Sequence, residues 1–326
     1  MKITVQEIEA KSKAALIAHG AADMQAGHVA RAVARAEALG NVICGLYYLE
    51  SYCTQLASGR VSGTVYPIVS KPRLGAVKSD AQFGFAQPAF AAGLAQAVST
   101  ARDNGIASYA ISNAHTCTSL GYFTEQIAAH GLIGIGMTNA SPVVAPPNGN
   151  KAVIGTNPIA FSVPDGQGGI AMQFDQSTTT VALGKITMAK AAGQRIPEGW
   201  ALDSAGNPTT DPEEAIKGTL VSMGGYKGWG FGLMAEVLAA AMTGSVLSRD
   251  VKPLKAPEGA PHDLGQYYML MDPGASPAFF DRLAQVAEGV ALDEGARMPG
   301  QGKSRMDPVP LEDAVWAQTL SLAGMA

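Results

Sequence analysis

The arrangement of apolar and polar residues at the start of the chain is typical of helices that each end at a glycine. Thr4 and Glu7 have the spacing of a capping box, so the first predicted helix begins there and runs to about His19. Two more helices are predicted, from about Asp23 to Leu39 and from about Val42 to Ala57. We therefore expect the N-terminal region to be entirely helical.

From residue 86 onward the pattern alternates between helix and strand, which is typical of an α/β layer. The predicted elements are a helix over Ala86–Asn104, a strand over Ile106–Ser112, a helix over Leu120–His130 and a strand over Leu132–Thr138. Further along, the pattern predicts a strand over Ala171–Asp175, a helix over Thr178–Ala192, a functional loop over Ile196–Pro212 and a buried apolar helix over Phe231–Met242. Residues 253 to 276 are predicted to form loops, and two helices, over Pro277–Gly289 and Leu311–Leu322, are predicted to close the chain.

Composition narrows the classes of protein to which the chain can belong. The 326 residues are 47% hydrophobic and 15% charged, which suits several packed units with apolar surface to spare for an oligomer interface. The net charge of −4 and the scattered Lys and Arg residues give no reason to expect nucleic acid as a partner. There is no pattern of a signal peptide or membrane span, and three cysteines without paired spacing favour a reducing compartment. We expect a cytoplasmic protein without a membrane partner.

A glycine-rich segment, Gly224 to Gly232, leads into the predicted apolar helix. Backbone amides at the start of a helix can bind a phosphate, and Lys227 places a positive charge there. The segment lacks the G-x-G-x-x-G pattern, so tight packing of the helix explains the glycines equally well.

The other polar residues give weaker indications of chemistry. The five histidines include no close pair, and all except His115 are interpreted as surface or capped histidines, so no metal site is expected. Asp175 follows a predicted strand and precedes a hydroxyl-rich turn. It could cap the next helix, which the spacing favours, or it could orient a catalytic group or bind a ribose hydroxyl.

Many short motifs, in one order along the chain, resemble those of the type 2 malate/L-lactate dehydrogenase family, whose nicotinamide-binding fold is not a Rossmann fold. They are Gly121-Tyr-Phe, Gly131 to Asn139, Ile154 to Phe161, Phe174-Asp175, Gly184-Lys185, Ile196-Pro197, Pro208 to Pro212 and Gly224-Gly-x-Lys-Gly228. The segment Gly84 to Phe90 looks most similar to the branch that reduces Δ1-piperideine-2-carboxylate and Δ1-pyrroline-2-carboxylate.

The resemblance implies a homodimeric α/β oxidoreductase that binds NAD(P)H and a small-molecule substrate. It divides the chain into a helical N-terminal region of residues 1–75, an NAD(P)-binding mixed-sheet region of residues 76–250, and a C-terminal segment of residues 251–326 that packs back on the N-terminal region. It also favours phosphate binding by the glycine-rich segment. The residues expected to line the cofactor cleft are Asn139, Thr156, Asn157, Lys185, Gly224, Gly225, Lys227 and Gly228.

The chain departs from the family pattern near the expected reaction centre. Family members usually have Ser-His-Gly where this chain has Ile43-Cys44-Gly45, and an Arg where it has Tyr48. The second His of the family corresponds to Thr116, with His115 one position earlier. The resemblance therefore implies that this chain lacks the usual imidazole proton donors and the Arg that would anchor a substrate carboxylate.

These departures bear on the reaction. The expected catalytic residues are Cys44, His115, Thr116 and Asp175, and the expected substrate-binding residues are Tyr48, Tyr52, Asn113 and Thr156. Reduction of a ketone needs a proton donor, which contributes roughly 10²–10⁴ in rate, whereas an imine can be protonated before it is reduced. The substitutions therefore favour a reductase of a small cyclic imine.

Two other functions stay open. One is a 2-hydroxy-acid dehydrogenase in which His115, Thr116 or Cys44 supplies the acid, and the other is a dinucleotide-binding protein that has lost catalysis. Cys44 and Cys117 also suit small buried apolar positions without any role in proton transfer.

Overall fold

The computed structural model describes residues 1–325. Its helices are α1 (Val5–Ala18), α2 (Asp23–Ala38), α3 (Leu49–Ala57), α4 (Ala86–Asn104), α5 (Gly121–Ala129), α6 (Leu183–Ala191), α7 (Pro212–Lys217), α8 (Tyr226–Glu236), α9 (Phe279–Val290) and α10 (Asp313–Leu322). Its strands are β1 (Lys2–Ile3), β2 (Ile68–Arg73), β3 (Ala76–Asp80), β4 (Ile106–Ala114), β5 (Ile133–Thr138), β6 (Ile159–Pro164), β7 (Ile170–Gln176), β8 (Ala201–Leu202), β9 (Pro208–Thr209), β10 (Thr219–Leu220), β11 (Leu264–Met271) and β12 (Val309–Pro310).

Within these residues, seven strands form one mixed sheet in the order β2-β3-β4-β11-β5-β6-β7. The β3–β4 pair is parallel, and the other neighbouring strands are antiparallel. Helices α4 and α5 cover one face, where the rings of Phe90, Phe123 and Tyr268 pack against one another. Helix α8 approaches the other face beside β5. The predicted mixed α/β class is confirmed.

The two ends of the chain meet in a helical unit. The predicted capping box is present at α1, where the Thr4 hydroxyl accepts from the Glu7 N–H at 3.2 Å and the Glu7 carboxylate accepts from the Thr4 N–H at 3.2 Å. Helix α10 packs on α1 and α3, and β1 pairs with β12. Strands β2 and β11 belong to the central sheet, although both lie outside residues 76–250. The division of the chain at residues 75 and 250 stays a prediction.

A third unit surrounds the small antiparallel sheet of β8, β9 and β10. Its core contains Val144, Ile154, Ile186, Ala201 and Leu220. Helices α6 and α7 pack together beside it. The two short strands β8 and β9 fall inside the residues that were predicted to form a functional loop.

Two predicted helices are shorter than the pattern indicates. The helix expected over residues 42–57 breaks into two 3₁₀ turns, Val42–Cys44 and Leu46–Tyr48, before α3 begins. The helix expected from Thr178 begins only at Leu183, because the backbone at Thr178 pairs instead with Thr156, whose carbonyl accepts the Thr178 N–H at 2.9 Å. In both places tertiary contacts prevail over local helix propensity.

Two further predictions about the later half of the chain are wrong. The loop expected over residues 253–276 contains β11, a central strand whose Gly265, Gln266 and Tyr268 are buried between β4 and β5. The apolar helix expected to be buried is present as α8 and a π-helical extension, Val237–Ala241. Its large apolar side chains are largely exposed in a single chain: Phe231, Leu233, Met234, Val237 and Met242.

Candidate functional site

Cys44 lies at the end of the first 3₁₀ turn, at the junction between α2 and α3. Gly45 follows with φ −99° and ψ −133°, outside both the helical and the extended regions, and the Leu46 N–H donates to the buried Glu37 Oε1 at 2.6 Å. A Cβ at position 45 would collide with the Glu37 carboxylate, so this close approach requires glycine. The residue Cys44, at this break in the helix, is partly buried.

The carboxyl group of Asp175, near the end of β7, lies close enough to affect this thiol. Its Oδ2 accepts the Gly121 N–H at 2.7 Å and the Ser119 hydroxyl at 3.3 Å. Asp175 therefore binds the N-terminus of α5, and the interpretation that it caps the next helix is wrong. Burial raises the pKa of Asp175, although the hydrogen bond from Gly121 and the charge of Arg35 act in the opposite direction.

Burial and the negative charge of Asp175 together raise the pKa of the Cys44 thiol to about 12. A hydrogen bond from Asn41 and the charge of Arg35 offset this only in part. Such a thiol stays protonated near neutral pH and releases its proton poorly. An efficient general acid has a pKa near the working pH, so Cys44 is poorly matched to that role.

Tyr48 and Tyr52 lie beside Cys44 and the buried Cys117. Their ring centroids are 4.9 Å apart, and the Tyr52 hydroxyl donates to Thr118 Oγ1 at 3.3 Å. Burial is the main cause that raises the pKa of both phenols, and the neighbouring thiols contribute. The structure thus brings together five of these side chains, which we call the Cys44 cluster: Cys44, Tyr48, Tyr52, Cys117 and Asp175.

His115 packs behind this cluster in the core. Its ring stacks on that of His262 with centroids 3.9 Å apart, and its Nε2 contacts Gln55 Oε1. The Thr116 N–H donates to His262 Nδ1 at 3.2 Å. Burial and the other histidine hold the pKa of His115 well below its usual range, and burial lowers the pKa of His262 to about 3. Both rings are therefore neutral at pH 7.

The interpretation of His262 as a surface or capped histidine is wrong, because only 4% of the residue is exposed. Its isolated position in a segment rich in Pro and Gly gives no periodic signal of burial. Its contacts with His115 and Thr116, which are distant in sequence, show where it lies.

The segment from Pro253 to Ala260 closes over the Cys44 cluster. Buried side chains on and just after α3 hold its backbone: Gln55 Nε2 donates to the carbonyls of residues 254 and 256, both at 2.8 Å. The Arg60 guanidinium, only 2% exposed, donates to the carbonyls of residues 253, 256 and 260. The sequence analysis missed Gln55 and Arg60, because neither belongs to a recognisable motif.

The glycine-rich segment begins α8. Gly224 and Gly225 have positive φ values of 62° and 64°, and Gly225 is the residue that precedes the helix. Both glycines and Lys227 are exposed, whereas a Cβ on the buried Gly228 would lie 2.0 Å from the Met223 carbonyl oxygen. The exposed amides and the charge of Lys227 form an arrangement that can receive a phosphate.

The predicted cofactor residues Asn139 and Asn157 are buried and hydrogen bonded within the protein. Asn139 Nδ2 donates to the Val246 carbonyl at 2.8 Å, and Asn157 Nδ2 donates to Glu236 Oε2 at 2.8 Å. Asn157 is therefore bonded to the end of α8, and Asn139 to the segment that follows it. Their contact with a cofactor stays a prediction.

Asn113, Thr156 and Lys185 are the remaining predicted site residues. The Thr156 carbonyl accepts from the Thr178 N–H and hydroxyl, at 2.9 and 3.0 Å. Asn113, with φ 52°, donates through Nδ2 to Asp80 Oδ1 at 2.8 Å, and Lys185 is exposed on α6. The hydrogen bonds of Asn113 and Thr156 go to residues outside the Cys44 cluster, so their roles also stay predictions.

A cavity of about 490 Å³ opens between α2, β7 and the segment around Gly300. Asp175 is on its wall, together with the basic side chains of Arg35, Lys303 and Arg305. Arg35 and Arg305 both pair with Glu125, while Lys303 forms no ion pair with any residue of the described chain. The volume, the positive charges and a carboxylate able to accept from ribose hydroxyls all suit part of a phosphorylated dinucleotide.

A second cavity, of about 360 Å³, is almost entirely apolar and lies between α8 and the open face of the sheet. Within residues 1–325, no group of three or more His, Cys, Asp or Glu side chains is placed to hold a metal ion. No helix in the same part of the chain is long and apolar enough to cross a membrane.

Comparison with known proteins identifies the family. The sequence model of the malate/L-lactate dehydrogenase family matches residues 3–318, so the chain belongs to this family. The predictions of the family, of an NAD(P)-dependent oxidoreductase and of NAD(P)H as the cofactor are therefore confirmed.

Two characterised relatives and one solved structure show where the chain stands within the family. It is 36% identical to a (2R)-3-sulfolactate dehydrogenase (NADP(+)) from Chromohalobacter salexigens, over 91% of this chain and 89% of the relative. It is 34% identical to a Δ1-pyrroline-2-carboxylate/Δ1-piperideine-2-carboxylate reductase from Pseudomonas putida, over 100% of this chain and 96% of the relative. The crystal structure of a Δ1-piperideine-2-carboxylate reductase from Pseudomonas syringae pvar. tomato matches with a TM-score of 0.90 and 29% identity, and the match covers 99% of each chain.

Proposed function

We propose that the protein is an NAD(P)H-dependent reductase of a small cyclic imine that carries a carboxylate beside the C=N bond, such as Δ1-pyrroline-2-carboxylate or Δ1-piperideine-2-carboxylate. The observation that carries the proposal is the place of Cys44, which occupies the expected donor position beside the Asp175 carboxylate, where burial and that charge raise its pKa to about 12. Because a thiol of this kind is a poor proton donor, the site suits a substrate that arrives protonated. The names of several relatives support the same substrate class.

The imine nitrogen takes its proton before reduction, and the resulting iminium carbon accepts the hydride. NAD(P)H would supply that hydride when bound. Asp175 is the ionisable carboxyl group of the Cys44 cluster, and its negative form stabilises a positive charge in a partly desolvated site. The neutral Tyr48 and Tyr52 rings limit the access of water to the same space. In this mechanism Cys44 fills volume and transfers no proton.

The cofactor in this proposal is NADPH, and its 2′-phosphate is assigned to the cavity of about 490 Å³ beside Lys303 and Arg305. The positive charges in that cavity support the assignment, as does the NADP(+) in the name of the related sulfolactate dehydrogenase. Lys303 has no ion pair in the described residues, so a 2′-phosphate can bind there without displacing a carboxylate. Steady-state KM values for NADPH and NADH test this part, and a lower KM for NADH contradicts it.

A second candidate function is dehydrogenation of a 2-hydroxy acid. The relative that favours it is the (2R)-3-sulfolactate dehydrogenase, at 36% identity. This function needs a proton donor to the substrate oxygen. The pKa of Cys44 is too high for an efficient donor, and His115 is buried and neutral. Thr116 is buried, and its N–H donates to His262. A catalytically altered dinucleotide-binding protein is the third possibility.

The active form in this proposal is a homodimer. The exposed apolar side chains of α8 and its extension, among them Phe231 and Met234, border the apolar groove of about 360 Å³. A soluble chain buries such a surface most simply against a second copy of itself.

One assay separates the three functions. Oxidation of NADPH and NADH is followed by ultraviolet absorbance. One set of substrates consists of cyclic imino carboxylates, and the other consists of 2-oxo acids. Turnover of the imino carboxylates in preference to the 2-oxo acids is expected. Preference for the 2-oxo acids supports the dehydrogenase, and silence on both sets with cofactor still bound supports the altered homologue.

A further inference from the structure

Lys255 occupies an unusual position above the Cys44 cluster. Its Nζ lies 3.6 Å from the centroid of the Tyr47 ring and 5.1 Å from that of the Tyr48 ring. The side chain is exposed, and it forms no ion pair with any carboxylate in residues 1–325. The ammonium group thus stands over two aromatic faces with its hydrogen-bond donors free for an anion.

The backbone around Lys255 is held more firmly than that of an ordinary surface loop. Gln55 Nε2 binds the carbonyls of the residues on either side, 254 and 256, at 2.8 Å each. Arg60 holds the carbonyls of residues 253, 256 and 260, and the Ser58 hydroxyl donates to that of residue 257 at 2.7 Å. The buried groups therefore fix the position from which the lysine side chain extends.

The other cations near this site are already occupied or lie elsewhere. The Arg60 guanidinium is buried and donates to three carbonyls, and Arg35 pairs with Glu125. Lys303 lines the cavity that also contains Asp175, among the groups assigned above to the cofactor. Tyr48, which carries no charge, cannot bind a carboxylate as an arginine would. Lys255 is left as the cation that faces Tyr48.

We propose that Lys255 anchors the carboxylate of the substrate. The loop that Gln55 and Arg60 hold thereby supplies the positive charge that Tyr48, at position 48, lacks. This inference rests on the proposed function and deepens it. The substrate is then an anion whose carboxylate meets Lys255 at the Tyr47–Tyr48 edge of the cluster, with its C=N bond directed toward Cys44 and Asp175. Lys255 acts in binding and discrimination, and it moves no proton.

The kinetic test compares Lys255→Gln, Lys255→Arg and the control Lys252→Gln, an exposed lysine three residues away. With Δ1-pyrroline-2-carboxylate we expect Lys255→Gln to raise KM about tenfold, the size of one charge-assisted contact, with kcat changed less than about twofold. Lys255→Arg should restore most of the loss, and Lys252→Gln should match the parent. With 1-pyrroline, which lacks the carboxylate, the KM of Lys255→Gln should equal that of the parent.

A binding measurement keeps the inference testable if the parent turns over no imine, a result that would defeat the proposed function. Pyrrole-2-carboxylate, a planar unreactive analogue, is titrated calorimetrically into the parent and Lys255→Gln beside pyrrole itself. We expect the parent to bind the carboxylate about tenfold more tightly than the variant does. The role of Lys255 would be overturned if the parent did not bind pyrrole-2-carboxylate or if both proteins bound it equally. It would also be overturned if Lys255→Gln weakened the binding of pyrrole, or raised the KM for 1-pyrroline, as much as it did for the corresponding carboxylates.

Discussion

His115 and His262 stack face to face in the core, with ring centroids 3.9 Å apart and ring planes inclined by 16°. They come from the end of β4 and the segment just before β11, two strands that pair at the centre of the sheet. His115 Nδ1 and His262 Nε2 are buried without a hydrogen-bond partner in the described residues. Protonation of either ring would place a charge beside Arg60, which is buried in the same region.

This pair makes stability depend on pH in a definite direction. The folded-state pKa of His262 is about 3, against an ordinary value of 6.5 in the unfolded chain. Between these two pH values the unfolded state binds more protons than the folded state does. The contribution of His262 to the free energy of unfolding is therefore fully present above pH 6.5 and is lost as the pH falls toward 3. Its size is on the order of a few kcal/mol.

We expect His262→Gln to reduce this pH dependence, because an amide can still accept from the Thr116 N–H but cannot gain a proton. The measurement is the urea midpoint at pH 7 and at pH 5. The parent should lose more stability between the two than the variant, and His130→Gln, at an exposed histidine, should behave as the parent. Equal losses in His262→Gln and the parent would show that His262 is not the titrating group.

The imine mechanism makes a sharp prediction for Cys44→Ser. A hydroxyl fills the position but is a far weaker acid than a thiol, so turnover of a cyclic imine should stay within a few-fold of the parent. If Cys44 donated a proton to a ketone oxygen, the same change would cost about 10² or more in kcat.

The pH profile provides an independent check on Cys44. Turnover should fall as the pH rises and free imine replaces iminium, and it should do so equally in the parent and in Cys44→Ser. The thiol, with its pKa raised to about 12, contributes no limb in the accessible range. A high-pH limb that is present in the parent and missing from the variant would establish Cys44 as the donor.

The sequence predicts the elements of the fold much better than the contacts of the site. Helix α4 has the predicted bounds because its apolar pattern ends at Gly105, whose φ of 77° ends a helix without strain. Strand β11 was missed because Pro and Gly residues surround it, and its place in the sheet depends on pairing with β4 and β5, which are distant in sequence.

The same reason limits what the sequence tells about the site. Cys44 and Tyr48 could be recognised as departures from a family pattern, since they stand within that pattern. Lys255 and Arg60 could not be recognised in this way, because their relevance comes from contacts between distant parts of the sequence. Arg60, for example, binds the carbonyls of residues 253 and 260, which are 193 and 200 residues away. Such contacts leave no local periodicity for a sequence pattern to detect.

Lys227→Ala should weaken cofactor binding. A charge-assisted contact between this lysine and a phosphate contributes about 1.5–3 kcal/mol, which corresponds to an increase in Kd of at least tenfold. Fluorescence titration with NADPH measures the change. Lys217→Ala, which removes an exposed lysine that pairs with Glu214, is the control and should leave the Kd unchanged. An unchanged Kd in Lys227→Ala would remove the glycine-rich segment from the cofactor site.

The apolar surface of α8 should be the interface of a homodimer. Phe231 is 50% exposed and Met234 38% exposed in a single chain, on the border of an apolar groove that water would otherwise fill. Light scattering at micromolar concentration should give twice the chain mass of 33.5 kDa. Phe231→Asp places a charge in this surface and should shift the mass toward that of the monomer, because desolvating an unpaired carboxylate is strongly unfavourable. Phe280→Asp, on the exposed part of α9, is the control and should leave the mass unchanged. A monomeric parent would contradict the dimer, and a dimeric Phe231→Asp would place the interface on another surface.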